Sequence, residues 1–308
     1  PTSATDVFYP NPWNGGESRL SDAVRYTLTA SMGVLDIASS LREKWLYDIY
    51  SMGRDSIERG ESLKPAAYVL PADQWDPSEA DNLINLLLTG GVEVHRAQAP
   101  FRAQGERYGV GSYVIWGNQA FLPYVIDLME PQTYPDRRRT PDGPPDPPYD
   151  IAGWTLPMQM GVNVTRINTA FEADVVNLND YVKPQPGAIL EGRAGYMLSH
   201  RSNISVTAVN RLLKVEESLH WIGEPFGSYP KGDIFIESRS GTKDYLKKLA
   251  TELGLDFVGV DEIPPVSMYP LSRVRVAMYK SWVANMDEGW TRWLLEAYGF
   301  DLTTLSDN

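Results

Sequence analysis

The sequence contains no cysteine. This absence excludes disulfide bonds, thiolate nucleophiles and thiolate metal ligands together. It does not identify a compartment, because an exported protein of this size can fold without disulfides. Histidine is also scarce, and the three residues are His95, His200 and His220.

Two further features are missing from the chain. No apolar run approaches the roughly 18 residues of a membrane-spanning helix, and the first residues lack the basic head and apolar core of a signal peptide. We therefore expect no membrane span, and a start at Pro1 that is interior or processed. Lys and Arg number 28 against 40 Asp and Glu, a formal net charge of -12. Because nucleic acids bind to concentrated basic surfaces, we expect no nucleic-acid partner.

The usual catalytic motifs are not found. His95 has no HxxH or HxxE string around it, the serine-hydrolase string GxSxG does not occur, and GVGSY lacks the glycines of a dinucleotide fingerprint. Glu216 and His220 have the spacing of one helix face, but a zinc site needs three protein ligands, and a solvated helix end shows the same pattern. We predict no catalytic residue, no metal ligand and no cofactor in this chain.

Strand and helix patterns alternate along most of the sequence. Apolar residues recur at mostly helical spacing from Val24 to Tyr50, which predicts one long N-terminal helix or two abutting helices. The segments AYVLPADQWDPSEADNLINLLLTGGVEVH and GDIFIESRSGTKDYLKKLATELGLDFVGV share the order strand, polar turn, helix, glycine stop and strand. In the first of them, Asp76 and Pro77 indicate a helix N-terminus. We predict an α/β fold of mostly parallel sheets flanked by helices, with an N-terminal helical segment.

Proline marks the expected domain junction. The run from Pro131 to Pro148 contains seven prolines, so it can form neither a helix nor a central strand. This predicts three parts: a linker and long helix at 1–62, a small α/β domain at 63–148, and a second α/β domain at 149–308.

Two polar turns are candidate ligand sites. His200 and Arg201 follow the predicted strand 195–199, and Asn203 is expected to cap a helix that continues to Leu219. Arg239 and Ser240 follow the predicted strand 232–237. Because parallel strands end at one edge of a sheet, both turns are expected to line one crevice, with the two arginines facing an anion such as a peptide carboxylate. The alternative is ordinary turn chemistry.

The C-terminal segment predicts a strand at 273–280, a helix at 287–298 and the start of a second strand. Asp287 and Gly299 indicate the two ends of the helix, and Trp290 and Trp293 share the face that we expect to be buried. This unit leaves a parallel layer incomplete, and we expect the missing strands to come from a further segment of the same precursor or from a neighbouring subunit.

Four stretches carry a resemblance to a known family. They are Asn11-Pro12-Trp13 with Gly15-Gly16, TASMGVLDIASSLREKWLYDIYSMGRDSI, PPYDIAGWTLPMQMGV and KSWVANMDEGWTRWLLEAYGF. Together they resemble the regions that follow the catalytic domain in large bacterial zinc carboxypeptidases of the carboxypeptidase A-like class. In that family the catalytic domain holds zinc through an HxxE pair and a later histidine. The C-terminal domain resembles the class I glutamine amidotransferase fold, usually without its catalytic residues.

The resemblance implies an accessory, non-catalytic role in a parent zinc metallocarboxypeptidase. Zinc is then expected in the parent's catalytic domain, and no catalytic residue carries over, because no position in this chain matches one. The implied partners are that peptidase domain or other fragments of the same precursor, with peptide substrates and further copies of the chain as other candidates. The implied location is periplasmic or extracellular. The alternative hypothesis is a stand-alone binding or structural assembly module without peptidase activity.

Overall fold

The computed structural model describes residue 5 and the ranges 10–13, 15–62, 65–148 and 153–307. The chain divides into two compact units, Pro1–Asp55 and Ser56–Asn308. The α/β class predicted from the sequence is confirmed, and so is the N-terminal helical segment.

Two abutting helices account for that segment, α1 (Leu20–Ser40) and α2 (Arg42–Ser62), with a break at Leu41. None of the described residues of α1 is buried. Within the described ranges, no helix has both the length and the apolar character that crossing a membrane requires.

The larger unit contains a first sheet of five strands. Its strands are β1 (Ala67–Leu70), β2 (His95–Ala97), β5 (Tyr113–Trp116), β6 (Thr165–Ile167) and β7 (Val175–Asn177). A hairpin, β3 (Phe101–Ala103) and β4 (Glu106–Tyr108), separates β2 from β5 along the chain, and three helices accompany the sheet: α3 (Pro77–Thr89), α4 (Leu122–Met129) and α5 (Leu156–Met160). The strand order is β6-β1-β5-β2-β7.

Both faces of the first sheet are covered. Alternate residues of a strand point to opposite faces, so Tyr68 and Leu70 of β1 pack in the core formed with α3, α4 and α5. Ala67 and Val69 pack on the other face with the β3–β4 hairpin and Phe171. These three helices therefore lie on one face, and aromatic residues of the hairpin pack on the other.

The second sheet has six strands. They are β8 (Ile189–Leu190), β9 (Gly195–Leu198), β10 (Leu219–Ile222), β11 (Ile234–Glu237), β12 (Phe257–Val260) and β13 (Met268–Pro270). The order is β13-β10-β11-β9-β12-β8. Two helices, α6 (Ile204–Lys214) and α7 (Thr242–Leu253), pack on one face of the sheet.

The strand pairing contradicts the prediction of mostly parallel sheets. All four neighbouring pairs of the first sheet are antiparallel, and β12–β8 is the parallel pair of the second sheet. The sequence patterns around Leu219 predicted a continuing helix, whereas α6 ends at Lys214 and Leu219 begins β10. This additional strand reverses the chain once more before β11, so β11 runs antiparallel to β9.

The two segments predicted to share one order of strands and helix have the same arrangement in the structure. In the first, β1 and β2 run parallel and are separated by β5, which is antiparallel to both. In the second, β11 and β12 run parallel and are separated by β9, which is antiparallel to both. Each is therefore a β-α-β unit with one antiparallel strand inserted in its centre, with α3 or α7 as the crossover helix.

Along the sequence, the proline-rich run lies between strands of the first sheet. The strands β6 and β7 follow this run and pair with β1 and β2. The division between the two sheets therefore falls after Asn177 rather than at residue 148. A proline-rich segment forbids regular structure locally, but the chain can return to the same sheet after it.

The C-terminal segment forms β14 (Val276–Tyr279), α8 (Met286–Ala297) and β15 (Leu302–Leu305). The predicted strand and helix are present, and the second strand runs from Leu302 to Leu305 and pairs in parallel with the first. Asn285 caps α8 by accepting a hydrogen bond from the Asp287 N–H at 2.8 Å, and Gly299 ends the helix with φ 79°. The expected burial of the tryptophans is not observed, because Trp290 and Trp293 remain 69% and 62% exposed. The source of further strands stays a prediction.

Candidate functional site

The carboxyl ends of β1 and β9 face one another across a cleft of about 550 Å³. Residues 71–78 follow β1, residues 199–204 follow β9, and residues 253–256 close a third side. The two sheets thus contribute equivalent loops to the cleft. Ligand sites of this volume are common where strands of α/β folds end, so we take the cleft as the candidate functional site.

Asp76 joins the two loops. Its Oδ1 accepts hydrogen bonds from the Ser78 N–H at 3.0 Å and from the Ser78 and Ser202 hydroxyls, both at 2.6 Å. Its Oδ2 accepts from the backbone N–H of Asn203 at 2.7 Å. The carboxylate therefore caps α3, as the sequence predicted, and at the same time contacts the start of α6.

Hydrogen bonds stabilise the negative charge of Asp76. Burial raises the pKa of this carboxyl, but the hydrogen bonds from Ser202, Ser78 and Asn203 outweigh burial, and the pKa is lowered overall. Donors that satisfy a carboxylate favour its ionised form. Asp76 is consequently an anion at neutral pH, held between the two loops.

Arg201 makes a second connection between the two loops. Its Nε donates to the Trp75 carbonyl at 2.5 Å, and its Nη2 donates to the Gln74 carbonyl at 2.7 Å. The guanidinium carbon lies 4.6 Å from the centroid of the Trp75 ring, a cation–π contact. Gln74 is itself held by hydrogen bonds with the backbone of Asn163. Arg201 lines the cleft as predicted, but its guanidinium holds protein groups rather than a ligand.

Two further charged residues, Arg96 and Asp81, lie next to Tyr113 of the first sheet. Arg96 of β2 lies opposite Tyr113 of β5, and its guanidinium carbon is 5.8 Å from the centroid of the tyrosine ring. The Tyr113 hydroxyl donates to Asp81 Oδ1 at 2.7 Å. Burial raises the pKa of Asp81, and the hydrogen bond from Tyr113 and the charge of Arg96 partly oppose this shift. Arg96 and Asp81 are therefore placed at two sides of one aromatic ring, both in the wall of the cleft.

The other residues predicted after β9 have structural partners. His200 Nδ1 lies 2.8 Å from the buried Asp233 Oδ1, and the His200 backbone N–H donates to the same oxygen at 3.1 Å. Asn203 was expected to cap α6, but its side chain makes no cap hydrogen bond, and its Nδ2 donates to Glu79 Oε1 at 3.2 Å. The start of α6 is instead contacted by Asp76, which accepts the Asn203 backbone N–H.

The second predicted turn lies away from the first. In the register of β9 with β11, Gly195 pairs with Glu237 and Leu198 pairs with Ile234. The carboxyl ends of these antiparallel neighbours are therefore at opposite edges of the sheet. Arg239 and Ser240 do not share a crevice with Arg201, and the expectation of a joint anion site is corrected. Arg239 donates to the Glu216 carbonyl at 3.2 Å, and Ser240 is exposed in the turn before α7.

Sequence reasoning missed Arg96, Asp81 and Tyr113. Asp81 reads as an ordinary polar position of α3, and Arg96 follows His95 at the start of a short strand. Their approach depends on the pairing of β2 with β5, which no local motif indicates. The one available signal was the position of the α3 segment in a predicted β-α-β unit, whose loops commonly bind ligands.

The predicted pair of Glu216 and His220 does not lie on a helix. Glu216 follows α6 with φ 59°, and His220 lies in β10. In the part of the chain that the structure describes, no three His, Cys, Asp or Glu residues are grouped as a metal site requires.

No family model, no curated protein and no solved structure matches this chain. The resemblance to zinc carboxypeptidases and to amidotransferase-like domains therefore stays a prediction.

Proposed function

We propose that this chain is a non-catalytic accessory part of an exported zinc carboxypeptidase-like protein. In this role it packs against the peptidase domain and shapes the access of peptide ends. The sequence stretches that resemble the family motivate the proposal. The structural observation that supports it is the exposed apolar surface of α1.

The apolar surface of α1 covers most of its circumference. Val24, Leu28, Met32 and Leu35 lie on one side of the helix and are 58%, 60%, 58% and 61% exposed, respectively. The charged residues of the helix, Asp22, Arg25 and Asp36, are confined to one narrow side. A helix with so wide an apolar surface is normally buried in a protein core or interface.

Covering this surface is energetically favourable. Full burial of a Val, Leu or Met side chain contributes about 1.5–3 kcal/mol, so side chains that remain more than half exposed each gain about 1 kcal/mol or more when a partner covers them. The expected occupant is an apolar groove of the peptidase domain, because the resemblance places this helical segment next to that domain.

The reading frame on the 5′ side of the Pro1 codon provides the first test. We expect it to encode a domain with an HxxE pair and a later histidine. A continuous frame without such a domain would contradict the proposal and favour the stand-alone alternative.

Co-purification then tests the docking surface. The chain and the peptidase domain are produced as separate polypeptides, and capture of the domain is compared between the wild type, Leu28→Glu and the matched control Thr29→Glu. Thr29 lies on the polar side of α1 with Arg25 and Asp36. We expect Leu28→Glu to reduce capture at least about tenfold, the equivalent of roughly 1.4 kcal/mol, and Thr29→Glu to leave it unchanged. Equal capture by all three proteins would refute docking through α1.

The non-catalytic assignment has its own measurement. The isolated chain is assayed for bound zinc and for release of C-terminal amino acids from peptides. We expect neither stoichiometric zinc nor turnover. Stoichiometric zinc together with turnover would overturn this part of the proposal.

A stand-alone binding module is the second candidate function. The cleft between the two sheets favours it, since its loops are fixed by Asp76 and Arg201 and its wall carries the further charges of Arg96 and Asp81. Binding of a small ligand without any peptidase domain in the gene would distinguish it from the first.

A further inference from the structure

We propose that the cleft binds a free α-amino acid, with the ligand carboxylate on Arg96 and the ligand ammonium on Asp81. This binding site is separate from any role of α1 in docking. The proposal rests on the volume of the cleft and on the charged residues in its wall.

Arg96 is the cation available to a ligand. Among the described residues, its guanidinium forms no ion pair with a carboxylate and donates no hydrogen bond, and it lies over the ring of Tyr113. The other arginine of the cleft, Arg201, is already engaged by the carbonyls of Trp75 and Gln74. A guanidinium with its donors open matches the two oxygens of a carboxylate in a bidentate pair.

Asp81 is the complementary acidic group. One of its oxygens accepts the hydroxyl of Tyr113, and the residue is half-buried in the same wall. Both charged residues contact Tyr113: Arg96 lies over its ring and Asp81 accepts its hydroxyl. Among the described residues Arg96 forms no ion pair with Asp81, although its charge acts on this carboxyl, and a ligand that carries both signs can contact each of them.

The balance of charge favours a zwitterion over a simple anion. The cleft is lined by Asp73, Asp81 and Asp256 as well as by Arg96 and Arg201. A ligand with only a carboxylate would experience repulsion from the acidic groups, whereas an ammonium on the same ligand is attracted by them. The volume of about 550 Å³ leaves room for the amino-acid side chain.

The walls indicate an apolar side chain. Trp75 is 65% exposed and carries Arg201 on one face of its ring. Val110 and Leu255 also line the cleft. A branched aliphatic side chain can lie against these groups, and we therefore choose L-leucine as the probe.

The test compares three ligands by calorimetric titration: L-leucine, N-acetyl-L-leucine, which lacks the ammonium, and L-leucinamide, which lacks the carboxylate. With the wild type we expect L-leucine to bind about tenfold to a hundredfold more tightly than either analogue, since hydrogen bonds to charged groups contribute about 1.5–3 kcal/mol. No saturable binding of L-leucine below about 10 mM, or equal binding of all three ligands, would overturn the proposal.

Two variants assign the contacts. Arg96→Met keeps an unbranched stem and removes the charge, so it should abolish the preference for L-leucine over L-leucinamide. Asp81→Asn should abolish the preference for L-leucine over N-acetyl-L-leucine. If a residue has only a structural role, its substitution would lower the affinities for all three ligands together, and that result would refute the assignment.

Controls and folding are measured on the same material. Arg193→Met removes an exposed arginine outside the cleft, which pairs with Asp261, and should leave all three affinities unchanged. Circular dichroism shows whether each variant is folded. If Arg96→Met does not fold, the ligand series on the wild type still decides the proposal, because an absent preference for the zwitterion contradicts it.

Discussion

Replacement of Asp76 by alanine should destabilise the larger unit strongly. Asp76 is 6% exposed, and its carboxylate accepts hydrogen bonds from both loops of the cleft. This one side chain both caps α3 and contacts the start of α6. The substitution therefore removes a local cap and a connection between the two sheets in one step.

The magnitude follows from the individual contacts. Loss of the cap on α3 costs about 1 kcal/mol. The Ser202 hydroxyl and the Asn203 N–H each lose a charged acceptor, at about 1.5–3 kcal/mol apiece. These contributions are not additive, since water can reach the half-buried serines, so we expect the free energy of unfolding to fall by about 3–5 kcal/mol.

Asp76→Asn provides a finer probe of the same site. An asparagine retains one oxygen for Ser78 and Ser202, but its amide group presents N–H donors to the Asn203 N–H. We therefore expect a loss of about 2–3 kcal/mol, smaller than that of the alanine variant. The matched control is Asp73→Asn, an exposed aspartate of the same loop, which should change stability by less than about 0.5 kcal/mol.

The assay is urea unfolding followed by far-ultraviolet circular dichroism, with free energies from linear extrapolation. The order expected is wild type and Asp73→Asn most stable, then Asp76→Asn, then Asp76→Ala. If Asp76→Ala remained within about 1 kcal/mol of the wild type, the carboxylate would not connect the two sheets as the hydrogen bonds indicate.

Three further predictions use the same unfolding assay. Because the pKa of Asp76 is lowered in the folded protein, its stabilisation should be lost as the pH falls below the ordinary aspartate pKa, and the difference between wild type and Asp76→Asn should shrink there; a constant difference would contradict this. Gly259→Ala should cost about 2–4 kcal/mol, because a Cβ would lie 2.2 Å from the backbone of Glu191 and Gly192, whereas Gly109→Ala, with nothing within 4 Å, should cost less than about 1 kcal/mol; similar losses would refute the close approach. Trp293→Ala should cost less than about 1 kcal/mol, since this side chain is 62% exposed, and a loss of 3 kcal/mol or more would show that the face is covered.

Much of the local structure could be predicted from the sequence. The cap of α3 by Asp76 with Pro77 at its first position, and the end of α8 at Gly299, agree with the structure. These features depend on interactions within one or two turns of helix, so they are encoded in neighbouring residues. The α/β class followed from the alternation of such signals.

The strand directions could not be predicted in the same way. The short strand β10 has four residues, and Leu219 also fits the apolar spacing that precedes it in α6. An additional strand between a helix and the next strand reverses the direction in which the later strands run. The sequence pattern therefore predicted a common crevice for Arg201 and Arg239, whereas antiparallel pairing places them at opposite edges of the sheet.

The sequence by itself determined where α3 begins and where α8 ends, because capping and glycine stops act over a few residues. Only the tertiary structure decided which residues form the cleft. The contact between Asp76 and Ser202 spans 126 residues of chain, and that between Tyr113 and Asp81 requires a strand inserted between β1 and β2. Such contacts depend on which strands pair and on how the two sheets meet, and these choices are set by the packing of whole surfaces rather than by any single motif.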